Sequence, residues 1–189
     1  MRRVVIGVTG GIAAFRACDL IGRLRELNVA TRVAMTPNAT RFVTPLTFAA
    51  LSGHEVLVDE LAGAGRDEIP HIAWARWAEL VAIVPATADF VGRVAHGLGD
   101  DSLTCLLLAL ERAVPVLFAP AMNVAMWENP LVQQNVARLA AIDGFRYQFI
   151  APATKRLACG ETGAGGLPPV ERIAERIVAT LRGDVAAAP

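Results

Sequence analysis

The chain has no surplus of either charge: 18 lysines and arginines stand against 18 aspartates and glutamates in 189 residues. A surface that gathers nucleic acid or an anionic membrane needs a basic excess, so neither partner is expected. No apolar run reaches the roughly 18–20 residues that a membrane-spanning helix requires. Met1-Arg2-Arg3 leads directly into a short β-rich run rather than into a signal peptide. Cysteine is scarce, and Cys18, Cys105 and Cys159 are spaced unlike metal ligands. No metal site is expected, and the cysteine usage fits a reducing, cytoplasmic location. Internal repeats and linker-like stretches are also missing, which predicts one domain over residues 1–183 and a flexible tail at 184–189. Apolar residues, by contrast, make up 54% of the chain. Without a membrane segment, that excess suits a parallel sheet buried on both faces together with contacts between subunits.

Strand-like and helix-like patterns alternate. Buried β-rich runs lie at 3–8, 30–35, 79–84, 114–119 and 145–150. Helical patterns lie at 12–27, 46–51, 90–96, 130–142 and 170–181, with a further helix capped by Asp100-Asp101 and running to 112. This order predicts an α/β fold, a single-domain doubly wound parallel sheet of Rossmann-like type. Two segments fit no regular element: 61–70 and the glycine-rich 159–166. Long irregular loops in compact domains are often functional.

In such a sheet ligands bind at the carboxyl ends of the strands, and three exits there are small and polar. The first run ends in Gly7-Val8-Thr9-Gly10-Gly11-Ile12-Ala13-Ala14, where glycines let a phosphate approach N–H groups at a helix start. The spacing is not G-x-G-x-x-G, and the second run ends in Met35-Thr36 with no acid to hold a ribose; both weigh against a dinucleotide. Thr36, Asn38 and Thr40 instead offer hydroxyls and an amide to the phosphate of flavin mononucleotide (FMN). The third exit is Pro85-Ala86-Thr87-Ala88-Asp89-Phe90. After the 115–119 run, Pro120-Ala121-Met122-Asn123 aims an amide into a loop. That amide can donate two N–H groups, which suits a carboxylate, although a turn asparagine beside gap-filling methionines would look the same. His71, after Pro70 and near tryptophans, fits either a structural or a catalytic role; His54 and His96 stand in less suggestive contexts. Cys18 and Cys105 fall in apolar helices as packing. Cys159 lies where a glycine-rich loop could close as a lid.

Taken in order, Thr9-Gly10-Gly11-Ile12-Ala13-Ala14, Pro70-His71-Ile72, Pro85-Ala86-Thr87-Ala88-Asp89-Phe90, Pro120-Ala121-Met122-Asn123 and Ala158-Cys159-Gly160 resemble the homo-oligomeric flavin-containing cysteine decarboxylases. The resemblance covers residues 3–181 and implies a Rossmann-like flavoprotein that binds FMN. It implies FMN contacts at Gly10, Gly11, Ile12, Thr36, Asn38, Phe42, Thr87, Ala88, Asp89, Phe90 and Met122. It also implies His71 as catalytic base, Asn123 on the substrate carboxylate, Cys159 as proton donor, and a homotrimer or an assembly of trimers. Flavin oxidation of the carbon bearing sulfur would give a thioaldehyde able to accept the electrons left by CO₂.

Within that family the Ala-Cys-Gly motif favours the coenzyme A branch, which converts 4′-phospho-N-pantothenoylcysteine to 4′-phosphopantetheine. The alternative is a peptidyl-cysteine decarboxylase that leaves an ene-thiol at the end of a natural-product precursor peptide. Gly163-Ala164-Gly165-Gly166-Leu167-Pro168-Pro169 departs from the coenzyme A pattern, where a methionine and a polar continuation are usual.

Overall fold

A computed structural model of the chain describes residues 1–58, 68–142, 146–156, 158 and 160–184. Its centre is a parallel sheet in the order β2-β1-β3-β4-β5, formed by β1 (Arg2–Val8), β2 (Val29–Met35), β3 (Leu80–Ala86), β4 (Val116–Pro120) and β5 (Tyr147–Phe149). The near-continuous apolar character of β1, β3 and β4 follows from burial on both faces. Their residues still alternate between two cores. Val4, Ile6, Leu80, Ala82, Val84, Leu117 and Ala119 face one layer; Val5, Val81, Ile83, Val116 and Phe118 face the other.

The first layer is completed by α1 (Arg16–Glu26), α2 (Pro45–Ser52) and α8 (Val170–Arg182), through Leu20, Ile21, Leu24, Phe48, Ile173 and Ile177. The second is completed by α3 (Pro70–Trp77), α4 (Ala88–Ala95), α5 (Ser102–Ala109) and α7 (Pro130–Ala140), through Trp74, Phe90, Val91, Leu103, Leu106 and Leu139. A short α6 (Val124–Glu128) follows β4. The expected doubly wound sheet is therefore present. Cys18 and Cys105 lie in α1 and α5, and burial pushes the Cys18 thiol up from its ordinary range.

Local chemistry explains most boundaries. Asp101 caps α5 through a reciprocal box: its carboxylate accepts from Thr104 N–H at 2.8 Å, and the Thr104 hydroxyl accepts from Asp101 N–H at 3.0 Å. Asn129 caps α7 at 2.9 Å, with Pro130 at its first position.

Three expectations change. The 12–27 helix opens with a separate 3₁₀ turn, Ile12–Phe15, before α1. Within 61–70, Pro70 begins helix α3, while 59–67 lie outside the described residues. The glycine-rich run is not irregular throughout. Thr162–Gly166 forms β7, antiparallel to β6 (Ala153–Arg156), a pairing invisible until both segments are seen side by side. Of the expected tail, 185–189 lie outside the described residues; α8 ends at Gly183, whose φ of 78° is the left-handed conformation glycine adopts at helix ends.

Candidate active site

Between β1 and β3 the sheet order reverses, and the carboxyl ends of the strands there leave a crevice. It is a cleft of about 640 Å³, walled by Thr9, Gly10 and Gly11 after β1, Thr36 and Asn38 after β2, Thr87–Asp89 after β3 and Ala121–Asn123 after β4. The β6–β7 hairpin adds Lys155, Arg156, Gly165 and Gly166.

The β1 and β3 exits are tied by one buried hydroxyl. Thr9 Oγ1 donates to the Pro85 carbonyl at 2.7 Å and accepts from Thr87 N–H at 3.2 Å. Gly10 is forced by space. A Cβ there would stand 2.5 Å from Asn38 Cβ and 3.0 Å from the Asn38 carbonyl carbon. At Gly11 the nearest atom to such a Cβ is Thr87 Cγ2 at 3.4 Å, on the cleft side. The following 3₁₀ turn begins with N–H groups that have no carbonyl within the turn to bond, as at any helix start. Thr36 N–H bonds the Val8 carbonyl at 3.0 Å, and its hydroxyl accepts from Ala39 N–H at 3.3 Å. Thr87 caps α4, accepting from Phe90 N–H at 3.4 Å. A glycine cradle, helix-start N–H groups and flanking hydroxyls in a cleft of this size fit a flavin mononucleotide phosphate with its ring beyond.

On the other side, Asn123 is held at both ends of its amide. As the N-cap of α6, its Oδ1 accepts from Met126 N–H at 3.2 Å. That fixes Nδ2 as the outward donor, and it donates to Glu161 Oε2 on the hairpin at 2.7 Å. The hairpin is also bonded through its backbone, Met122 N–H to the Gly165 carbonyl at 2.8 Å. Gly165 has φ 136°, and a Cβ there would lie 2.6 Å from the Met122 carbonyl oxygen. Gly163 is likewise pressed on Val124, 2.8 Å from a Cβ position. Gly163 and Gly165 thus let the hairpin lie flat on the asparagine loop.

Arg93 reaches the cleft wall from α4 and is paired with Asp101 at 2.7 Å, Asp100 at 2.9 Å and Asp89 at 3.2 Å. Burial opposes its charge, but the bonds to Asp101 and Asp100 outweigh that and hold it protonated. The bond from Arg93 in turn holds the Asp100 carboxyl below its ordinary range.

Of the anticipated cofactor contacts, Gly10, Gly11, Ile12, Thr36, Asn38, Thr87, Ala88, Asp89 and Met122 line the cleft. Phe90 does not: α4 starts at Ala88, which turns Phe90 onto the sheet, where it is fully buried in the second core. Phe42 lies off the cleft wall and is half-exposed. The Thr40 hydroxyl closes its own turn onto the Pro37 carbonyl at 2.7 Å. Among the three anticipated catalytic residues, Asn123 is in the cleft and Cys159 lies outside the described residues. His71 sits in the first turn of α3, away from this cleft's wall. That helix is held to the sheet by the Arg32 guanidinium of β2, which lies over the rings of Trp74 and Trp77 at 5.4 and 4.6 Å. His96 serves the end of α4, with Nδ1 2.8 Å from the Gly92 carbonyl oxygen.

Sequence reasoning missed Glu161, Arg93 and Lys155. Arg93 was legible in its i,i+4 spacing to Asp89; Glu161 and Lys155 gained a place only through the hairpin.

The Flavoprotein family profile matches residues 1–182. The chain belongs to the Flavoprotein family. It is 45% identical over 172 residues to the coenzyme A biosynthesis bifunctional protein CoaBC of Bacillus subtilis, covering 91% of this chain and 41% of that protein. The chain therefore spans about two fifths of the length of the bifunctional relatives it matches. It is 39% identical to a probable phosphopantothenoylcysteine decarboxylase of Streptococcus mutans, covering 93% of this chain and 97% of that one. Among solved structures, a PPC decarboxylase mutant complexed with pantothenoylaminoethenethiol superposes with a TM-score of 0.85 at 28% identity, covering 96% and 98% of the two chains. The FMN-dependent cysteine decarboxylase SpaF does so with a TM-score of 0.81 at 30% identity, covering 96% and 98%. Among the described residues no helix is long and apolar enough to cross a membrane.

Proposed function

We propose that this protein is an FMN-dependent cysteine decarboxylase acting on 4′-phospho-N-pantothenoylcysteine, giving 4′-phosphopantetheine in coenzyme A biosynthesis. The observation that carries the reading is Asn123: its amide is locked with the NH₂ outward, and it already holds a carboxylate, that of Glu161, at 2.7 Å. The relatives that match nearly this whole chain, CoaBC and the Streptococcus mutans decarboxylase, favour the coenzyme A substrate over a peptide.

Gly10, Gly11, Thr36, Asn38 and the Thr87–Asp89 exit would hold FMN, whose bound ring supplies a reversible two-electron oxidation at the carbon bearing sulfur. The remaining work belongs to the side chains. Asn123 orients the carboxylate without a full positive charge, which would stabilise the ground state against losing CO₂. His71 takes the thiol proton, a task suited to an imidazole. Cys159 returns a proton to carbon as the ene-thiol is reduced.

His71 lies off its own chain's cleft, whereas Ile12, Phe15 and Met126 on the cleft wall are 63%, 51% and 46% exposed. The proposed working unit is a homo-oligomer built on trimers, in the cytoplasm, in which a second copy covers that apolar rim and brings its own His71 to the site.

The test is the mass of the product formed by the FMN-loaded protein from phosphopantothenoylcysteine and, separately, from a peptide ending in cysteine. The saturated aminoethanethiol from the first substrate alone supports the proposal. Turnover of the peptide alone, releasing a product two hydrogens lighter than a saturated thiol, would replace it with the peptidyl-cysteine reading.

A further inference from the structure

The Glu161–Asn123 bond has a chemical consequence for any acid that binds here. Asn123 presents only its NH₂ group outward, because Oδ1 is committed to capping α6 and turning the amide over would lose that cap. The outward Nδ2 is in contact with a carboxylate oxygen that comes from the chain itself. A second carboxylate cannot share this donor at hydrogen-bond distance without facing Glu161, and like charges that close repel. Glu161 is exposed, and the hairpin carrying it is held independently by the Met122–Gly165 backbone bond and by Gly163 against Val124. The side chain can therefore swing away while the hairpin stays docked.

We infer that Glu161 is a built-in competitor for the substrate carboxylate and so a specificity-determining residue. It sets how strongly the site holds an acid, and it leaves the affinity for the decarboxylated product untouched. Before substrate arrives it occupies the amide; the incoming carboxylate displaces it into solvent. Once CO₂ has left, Glu161 can return to Asn123 beside a product that has no carboxylate to oppose it. This rests on the reading of Asn123 as the carboxylate contact.

The experiment is calorimetric binding to the FMN-loaded protein, which does not depend on turnover. Two probes are used: phosphopantothenoylserine, which keeps the carboxylate but has no thiol to oxidise, and 4′-phosphopantetheine, which has no carboxylate. Glu161→Ala should tighten the serine probe by about two- to tenfold, the range open to an exposed charged contact, with phosphopantetheine held within about twofold. Glu161→Asp, which keeps the competing charge, should stay nearer wild type than Glu161→Ala. In an Asn123→Ala background the Glu161→Ala gain should vanish.

Unchanged or weaker binding of the serine probe in Glu161→Ala would overturn the inference and make Glu161 idle or an orienting group. If Asn123→Ala alone still weakens that probe, the carboxylate reading survives that failure. If Asn123→Ala leaves the probe's affinity unchanged, the carboxylate reading itself is wrong and the inference falls with it.

Discussion

The two halves of the cleft are built on different physical terms. The half formed by the β1, β2 and β3 exits is held by two buried threonines, Thr9 bridging Pro85 and Thr87 and Thr36 bonded to Val8, with Gly10 packed against Asn38. Moving either threonine would break a bond inside the fold, which suits a cofactor that stays. The half formed by the β4 exit and the β6–β7 hairpin is held at the surface. A half-buried Asn123 meets the exposed Glu161 there, and glycines at 163 and 165 allow the hairpin to lie against the loop. Contacts of that kind exchange readily with a ligand. Preorganisation sits on the cofactor side and exchangeable bonding on the substrate side.

Gly10→Ala is the hardest blow to the buried half. Its Cβ meets Asn38 side chain and backbone, so the β2 exit must shift. Overpacking of this kind costs about 1–3 kcal/mol, or roughly five- to a hundredfold in FMN affinity. Flavin titration by absorbance checks it; unchanged affinity would mean the glycine turn is not part of the cofactor site.

Gly165→Ala attacks the surface half. A non-glycine residue at φ 136° is strained by about 1–3 kcal/mol, and its Cβ would push on the Met122 carbonyl. The expected result is a drop of about tenfold in kcat/KM, with FMN affinity affected less than by Gly10→Ala. An equal loss of FMN would erase the distinction between the halves.

Glu79→Gln, at the amino end of the central strand and away from the cleft, should do least. Glu79 accepts from Arg2 at 3.0 Å and from Arg3 N–H at 2.8 Å. Its small burial raises its pKa, but the bonds from Arg2 and Arg3 outweigh that and hold it below the ordinary value. A depressed carboxylate contributes stability above its unfolded value and loses it as pH falls through the folded one. The wild type should therefore be more stable by less than about 1 kcal/mol at pH 7, and the gap should close below about pH 4. Thermal melts of both proteins across that range decide it, with FMN binding unchanged.

The buried half was largely readable from sequence, because its motifs sit at the ends of apolar runs such as 4–8 and 80–84, and glycines in a strand-to-helix turn have few other uses. What sequence does not give there is direction: Phe90 follows Thr87 by three residues, but the first turn of α4 sends its side chain into the core. The surface half was much less readable. Thr154, Lys155 and Arg156 with Thr162–Gly166 carry no apolar alternation, so their pairing depends on the loop they cover. Glu161 meets Asn123 across 38 residues, a separation that no local pattern encodes. Helix α3 was missed because its eight residues carry only a weak apolar period.

The claim that the cofactor and the carboxylate are held by separate halves is tested most directly on Asn123→Asp, by measuring FMN affinity and turnover of phosphopantothenoylcysteine on the same preparation. Aspartate keeps the acceptor oxygen that caps α6 and replaces the outward donor with a charge that repels the substrate's carboxylate. FMN affinity within about twofold of wild type, with decarboxylation lost, is the predicted result. Turnover close to wild type, or FMN lost together with activity, would contradict it.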